Sequence, residues 1–211
     1  MKNIMCFGDS NTFGSNPSGG RWERYERWTG ILQKMLGEDY YVIEEGHGGR
    51  TTVYEDPVEG NKCGKNQLIP LLSSHRPLDL VIVMLGTNDL KMRFGAPAMD
   101  IAKGAGEVVK IIRKYDFMPK YREPKILLAA PILIGEGIED GPFGYMFDRT
   151  ARERSLEFDR CFSQVAEEQG VFYMNAAEYG WPSKIDGLHM DKDSHQAMAD
   201  AFYAQVKKLI G

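Results

Sequence analysis

Short apolar runs alternate with longer amphipathic stretches along the whole chain. Each run is too short to form a helix, and most end near Gly, Pro or Asn, residues that mark the end of a strand. The runs cover residues 4–7, 40–43, 80–85, 126–130 and 171–174. This alternation is typical of a parallel sheet covered by helices on both faces, so we interpret the runs as five strands.

The stretches between these runs carry apolar residues at helical spacing. They predict helices over residues 28–36, 66–75, 98–115, 147–169 and 194–210. Gly37 ends the first helix, whereas Gly104 and Gly106 weaken the third because glycine is a poor helix former. Five successive β-α units predict an α/β fold in one domain, residues 1–211. We expect a three-layer, doubly wound, five-stranded parallel sheet with the flavodoxin-like order 2-1-3-4-5.

The composition is that of an ordinary globular protein, with 211 residues, 43% of them apolar and 27% charged. Basic and acidic residues are interleaved and the net charge is −4, so neither nucleic acid nor an anionic membrane is an expected partner. The first apolar run is too short for a signal peptide or a membrane span, so we expect a cytoplasmic protein without a membrane anchor.

The three cysteines, Cys6, Cys63 and Cys161, are widely spaced and form no Cys-x-x-Cys pair. No histidine lies near them at metal-ligand spacing, so we expect reduced thiols and no metal site. Cys6 belongs to an apolar run and is predicted to lie in the core. Cys63 belongs to a polar loop and is predicted to be exposed.

Three loops after strands, residues 12–27, 46–64 and 131–144, are longer than a simple connection requires. Doubly wound folds keep their functional sites in such loops, at the carboxyl edge of the sheet. The segment 14–28 is rich in charged and aromatic residues, and two interpretations stay open for it. It could wall a substrate pocket or form a subunit contact, or it could be a surface loop pinned by Trp22 or Trp28.

A candidate nucleophile, Ser10, follows the first strand directly in the string Gly8-Asp9-Ser10. The chain turns out of the sheet there, so the serine side chain would stand at the carboxyl edge. Nucleophilic catalysis by serine also needs a base and a group that orients that base. Asp and Ser after a strand are equally typical of helix caps and turns, so this string alone is weak support.

A candidate base, His189, lies three residues after Asp186, between the last strand and the last helix. At this spacing the carboxylate can reach Nδ1 through one turn, which would fix the tautomer and direct Nε2 to a nucleophile. An aspartate that caps a turn, beside a solvent-facing histidine, is the alternative.

Two further segments could supply oxyanion donors to the candidate nucleophile. Asn88 follows the third strand and Gly49 follows the second, and in the predicted order both strands adjoin the first. The Asn88 amide and the N–H group of Gly49 would then face a developing oxyanion. Asparagine and glycine are also common turn formers, but all four segments converge on one edge of the predicted sheet.

Other chemistries are less well supported by the motifs. The chain has no Gly-x-Ser-x-Gly string, which disfavours an α/β-hydrolase with a nucleophile elbow. It also has no Gly-x-Gly-x-x-Gly string and no P-loop, which disfavours a nucleotide site. A non-catalytic flavodoxin-like binding module stays open as the alternative from a different class.

The four motifs resemble, in order and spacing, the four sequence blocks of SGNH (GDSL-type) hydrolases. Segments 6–14, 27–30, 42–46, 50–52 and 78–89 are similar to bacterial arylesterases that also act as acyltransferases. The resemblance implies a triad of Ser10, Asp186 and His189, and an oxyanion hole formed by Ser10, Gly49 and Asn88. It further implies hydrolysis of small acyl esters through an acyl-enzyme, with possible transfer to alcohols, no cofactor or metal, and assembly into a homo-oligomer.

Substrate identity stays open at this stage. A carbohydrate acetyl esterase is the alternative among hydrolases, and four aromatic residues could stack on a sugar: Trp22, Tyr25, Trp28 and Tyr54. A longer acyl chain would need an apolar groove, for which segments 132–138 and 143–147 are the candidates.

Overall fold

Five parallel strands form one sheet at the centre of the computed structural model, which describes residues 1–211. The strands are β1 (Lys2–Gly8), β2 (Tyr40–Gly46), β3 (Leu80–Met84), β4 (Lys125–Ala130) and β5 (Phe172–Asn175). Their order across the sheet is β2-β1-β3-β4-β5. The predicted fold class and strand order are therefore confirmed.

Helices cover both faces of the sheet and bury it in two apolar layers. The helices are α1 (Ser10–Phe13), α2 (Trp28–Leu36), α3 (Gly64–His75), α4 (Ala98–Lys114), α5 (Arg149–Ser155), α6 (Phe158–Gln169) and α7 (Lys192–Ile210). Side chains of α3, α4 and α6 pack with Met5 and Phe7 of β1 on one face. Those of α2 and α7 pack with Ile4 and Cys6 on the other face, as the period-two alternation of a strand requires.

The prediction of one helix over residues 147–169 is wrong, because this stretch forms two helices, α5 and α6. The apolar stripe continues through both, but α5 ends at Ser155. The Ser155 hydroxyl donates to the carbonyl of Arg152 and accepts from the N–H of Ile134 at 3.2 Å. A serine that bonds back to its own helix and to a neighbouring segment competes with the helical ladder, which explains the break.

The cysteine predictions have mixed outcomes. All three thiols are free, and Cys6 is fully buried as predicted. Cys63 was predicted to be exposed and is only 3% exposed, so that prediction is wrong. The cause is a short parallel bridge between Thr51 and Cys63, which closes the base of the long loop and turns the thiol toward the carbonyl of Val53.

None of the helices is both long enough and apolar enough to cross a membrane. The carboxyl ends of β1, β2 and β3 lie side by side at one edge of the sheet. The loops that follow these three strands therefore start next to one another, and they carry Ser10, Gly49 and Asn88.

Candidate active site

Ser10 lies where β1 gives way to α1, at the carboxyl edge of the sheet. The cap of that short helix is Asp9, whose carboxylate accepts from the N–H of Asn11 at 3.0 Å. In the string Gly8-Asp9-Ser10, the helix cap is therefore Asp9 and not Ser10. The turn is tight, because a Cβ on Gly8 would lie 2.0 Å from the hydroxyl oxygen of Thr12. Ser10 itself is 6% exposed and faces a small cavity.

Asp186 and His189 form a buried pair. Oδ2 of Asp186 lies 2.7 Å from Nδ1 of His189, while Oδ1 accepts from the backbone N–H groups of Leu188 and His189, each at 2.9 Å. Burial raises the pKa of Asp186, but these hydrogen bonds outweigh burial and bring the pKa below its ordinary value. The anionic carboxylate favours the tautomer with the proton on Nδ1, which leaves Nε2 free as an acceptor.

Asn88 begins a single 3-10 turn, Asn88–Leu90, in the loop that follows β3. Its amide donates to the carbonyl of Arg50 at 3.1 Å, which uses one of the two amide hydrogens and leaves the second available. Gly49 lies one residue before Arg50 and has a φ of +80°, a left-handed conformation that suits glycine. The contact with Asn88 therefore fixes the loop that carries Gly49 against the end of β3.

A second tie holds the same loop in place. The buried carboxylate of Asp89 accepts from the backbone N–H of Thr52 at 3.0 Å and also bonds the Thr52 hydroxyl. Burial raises the pKa of Asp89 to about 7, although the hydrogen bonds from Thr52 oppose that shift. The guanidinium of Arg50 adds a bond of 2.7 Å to the carbonyl of Gly8, which connects the loop to β1.

The predicted nucleophile, base and oxyanion donors share one cavity of about 160 Å³. It is lined by Ser10, Ser15, Gly48, Gly49, Glu59, Asn88, Lys91, Phe143, Met146, Phe147, Leu188 and His189. Asp186 lies behind the histidine and does not line the cavity. The ring of Phe143 packs edge-on to the imidazole with centroids 5.4 Å apart, so an aromatic wall flanks the base.

Sequence reasoning missed the charged side of this cavity. Lys91 is only 1% exposed, and its ammonium lies 3.2 Å from Asp56 and in contact with Glu59. Burial raises the pKa of Asp56, but bonds from the N–H groups of Val58 and Glu59 and from Lys91 outweigh it and lower the pKa to about 2. Only the position of Lys91, three residues after Asn88, could have indicated its proximity to the site.

The aromatic residues considered as a sugar platform do not line the cavity. Trp28 is fully buried and stacks on Phe202 with centroids 4.5 Å apart, so it belongs to the core. Tyr54 stacks on Phe94, and the indole N–H of Trp22 donates to the carbonyl of Met190. Segment 14–28 is therefore pinned by both tryptophans, and it reaches the cavity only through Ser15.

The candidate groove for a long acyl chain is also incomplete. Residues 143–147 supply part of the cavity wall, as expected. Ile132, Ile134 and Ile138, by contrast, are buried in the two apolar layers of the core. The apolar surface near Ser10 is therefore limited to a few side chains.

Comparisons with known proteins find similar proteins over most or all of the chain. The model of the GDSL-like lipase/acylhydrolase family matches residues 6–197. The solved structure of the native aryl esterase of M. smegmatis is 33% identical, with 100% of each chain covered and a TM-score of 0.92. A carbohydrate acetylesterase from Sinorhizobium meliloti is also 33% identical over 100% of each chain, with a TM-score of 0.93. No match was found among curated proteins.

Proposed function

The chain belongs to the GDSL-like lipase/acylhydrolase family, as its resemblance to SGNH hydrolases indicated, and we propose that it is a serine esterase for small acyl esters. The proposal rests on one observation: Ser10, His189, Gly49 and Asn88 line the same small cavity, with Asp186 bonded behind the histidine. A nucleophile, a base, an orienting carboxylate and oxyanion donors are the groups that acyl transfer through serine requires.

In the proposed first step, Nε2 of His189 takes the proton of the Ser10 hydroxyl. The serine oxygen attacks the ester carbonyl carbon, a new C–O bond forms, and the carbonyl π electrons move to the carbonyl oxygen. The charge that develops on the imidazole is balanced by Asp186, which is already anionic and 2.7 Å away. The carboxylate therefore stabilises the imidazolium without taking its proton.

The oxyanion would be held by the N–H groups of Ser10 and Gly49 and by the second amide hydrogen of Asn88. When the tetrahedral intermediate collapses, the bond to the alcohol oxygen breaks and His189 returns its proton to that oxygen. Water then attacks the acyl-enzyme, with the same histidine as base, and restores Ser10. An alcohol in place of water would give acyl transfer instead of hydrolysis.

The test is hydrolysis of p-nitrophenyl acetate by the wild type and by Ser10→Ala. Loss of the nucleophile is expected to lower kcat by about 10⁶-fold, as in other triads. Ser18→Ala is the matched control, because Ser18 is exposed on the neighbouring loop and should leave kcat unchanged. A fluorophosphonate probe should label the wild type at Ser10, with the adduct located by mass spectrometry. Equal activity in the wild type and Ser10→Ala would instead favour a binding module.

A further inference from the structure

One carboxylate at the cavity has no role in the proposed mechanism. Glu59 lies in the long loop between β2 and α3 and lines the cavity together with Ser10 and His189. Its side chain is 30% exposed, whereas its partner Lys91 is 1% exposed. The buried ammonium of Lys91 has to be paired, so the contacts of Glu59 with it determine which part of the carboxylate is left for other groups.

Glu59 is fixed from behind by a network of charges. Its Oε1 contacts the ammonium of Lys91 and lies 3.9 Å from the guanidinium of Arg93. Both cations are in turn bound by the buried carboxylate of Asp56, at 3.2 Å and 2.8 Å. The loop is therefore locked at this point, and the Glu59 carboxylate is preorganised before any substrate arrives.

The second oxygen of Glu59 is free. No protein group donates a hydrogen bond to Oε2, since the hydrogen bond and the ion pairs of the carboxylate go through Oε1. Oε2 lies over the backbone of Gly49, because a Cβ built on that glycine would be 2.7 Å from it. An unused acceptor therefore stands beside a proposed oxyanion donor, at the wall of the cavity that holds the nucleophile.

The charges around Oε2 of Glu59 indicate which kind of hydrogen-bond donor this oxygen would bind. Asp56 and Glu59 carry two negative charges, and Lys91 and Arg93 carry two positive charges, so the network is neutral. Lys62 adds another cation close by, with its ammonium 2.8 Å from the carbonyl of Gly48. A cationic substrate gains little from such surroundings, whereas a neutral hydroxyl can donate to Oε2 without a charge of its own.

We propose that Glu59 is a specificity-determining residue that selects esters whose alcohol half carries a second hydroxyl group near the ester oxygen. The inference rests on the proposed esterase function and on its small acyl group. An acetyl group has no hydrogen to donate, so the donor has to belong to the alcohol. The substrates are therefore acetyl esters of polyhydroxy alcohols, and the second hydroxyl donates to Oε2 of Glu59 while Ser10 attacks the carbonyl.

The first test uses the wild type with two matched substrates, 2-hydroxyethyl acetate and 2-methoxyethyl acetate, with release of acetic acid measured in a pH-stat. Only the first can donate a hydrogen bond. A hydrogen bond to a charged acceptor is stronger than one between neutral groups, so kcat/KM should favour the hydroxyl ester by about tenfold or more. Equal values for the two esters would overturn the proposal without any variant.

The second test changes the acceptor into a donor. In Glu59→Gln, Lys91 should attract the amide oxygen, which places the NH₂ group where Oε2 was. The ratio of kcat/KM between the two esters should then fall to about one. In Glu59→Asp the charge that pairs with Lys91 is kept, but the oxygens are drawn back from the cavity, and the ratio should also fall. Glu153→Gln, on the exposed side of α5, should keep the wild-type ratio.

The two proposals fail in different ways. If Ser10 is not the nucleophile, the wild type hydrolyses neither acetate, or Ser10→Ala hydrolyses both as well as the wild type does. If Glu59 has no role in specificity, the Ser10-dependent activity is present but the hydroxyl ester has no advantage, or Glu59→Gln keeps that advantage. Thermal unfolding of each variant shows whether a changed ratio comes from a folded protein.

Discussion

The two oxygens of Asp186 have different partners, and this division determines how the pair with His189 would respond to substitution. Oδ1 accepts two backbone N–H groups of its own turn, and only Oδ2 meets the imidazole. The turn contains Gly187 with a φ of +68°, which lets the chain fold back within three residues. The carboxylate therefore holds the turn and orients the ring at the same time.

The substitution Asp186→Asn should keep the turn but lose the orientation of the imidazole ring. The amide oxygen should take the place of Oδ1, because only an acceptor satisfies the two backbone N–H groups. The NH₂ group then faces Nδ1 and favours the tautomer with the proton on Nε2, which cannot accept the proton of Ser10. We expect kcat for p-nitrophenyl acetate to fall by about 10⁴-fold, as in another triad with the same change.

The control for this prediction is Asp140→Asn, an exposed aspartate in the loop before α5. It removes the same charge and should keep the wild-type kcat. Circular dichroism and thermal unfolding should show a folded Asp186→Asn protein, since its turn keeps both backbone bonds. An Asp186→Asn enzyme with wild-type kcat would mean that the carboxylate does not orient His189.

At the scale of elements, α4 contains two glycines that weakened its prediction from sequence. Gly104 faces the loop after β2, where a Cβ would lie 2.3 Å from the hydroxyl oxygen of Thr52. Thr52 cannot move aside easily, because Asp89 bonds both its N–H and its hydroxyl. Gly104 thus permits a close approach between the helix and the loop that carries Gly49.

Gly104→Ala is expected to lower both stability and activity. Alanine improves helix propensity by about 1 kcal/mol, but overpacking in a tight contact costs about 1–3 kcal/mol and displaces Thr52. A shift of that loop moves the N–H of Gly49, so kcat for p-nitrophenyl acetate should fall while the thermal midpoint also falls. Urea unfolding and steady-state kinetics measure the two effects.

Gly106→Ala is the matched control within the same helix. Its added Cβ would meet a methyl group of Val165 in α6 at 2.8 Å and would not approach the loop. Stability can change there, but kcat should stay at the wild-type value. If both substitutions changed kcat equally, the effect would come from the helix as a whole and the contact with Thr52 would have no special part.

Elements with a regular pattern were predictable from the sequence, and contacts between distant loops were not. The five apolar runs and their alternation with helices were enough to predict the strands, because parallel strands buried on both faces leave a continuous apolar signal. The strand order was predicted from the doubly wound fold type that this alternation indicates. The break between α5 and α6 left no such signal, since it depends on the hydroxyl of Ser155. The burial of Cys63 likewise depends on a bridge to Thr51, twelve residues earlier.

At the scale of the whole molecule, the sheet order explains why three of the four motifs converge. Residues 10, 49 and 88 follow adjacent strands, and this was deducible once the order was predicted. The network of Glu59 and Lys91 was not deducible, because a buried lysine is rare and its partners lie 32 and 35 residues away. The catalytic roles, the homo-oligomer and the cytoplasmic location stay predictions.

The size of the cavity is also a property of the whole molecule, because its walls come from distant parts of the chain. Phe143, Met146 and Phe147 close one side, and Lys91 with Glu59 closes another. At about 160 Å³ the space is well below the roughly 300–1,000 Å³ typical of sites for larger ligands. A long acyl chain would have to displace an aromatic side chain or cover the charged pair, and both cost free energy.

We therefore expect kcat/KM to fall along p-nitrophenyl acetate, butyrate and octanoate, by about tenfold or more from first to last. Phe143→Ala removes the ring beside His189 and should raise the ratio of octanoate to acetate, even if both rates fall through the lost contact with the imidazole. Phe172→Ala, at a half-exposed position on β5, should leave the ratio unchanged. A wild type that cleaves octanoate as well as acetate would show that the walls open readily and that the cavity does not select acyl length.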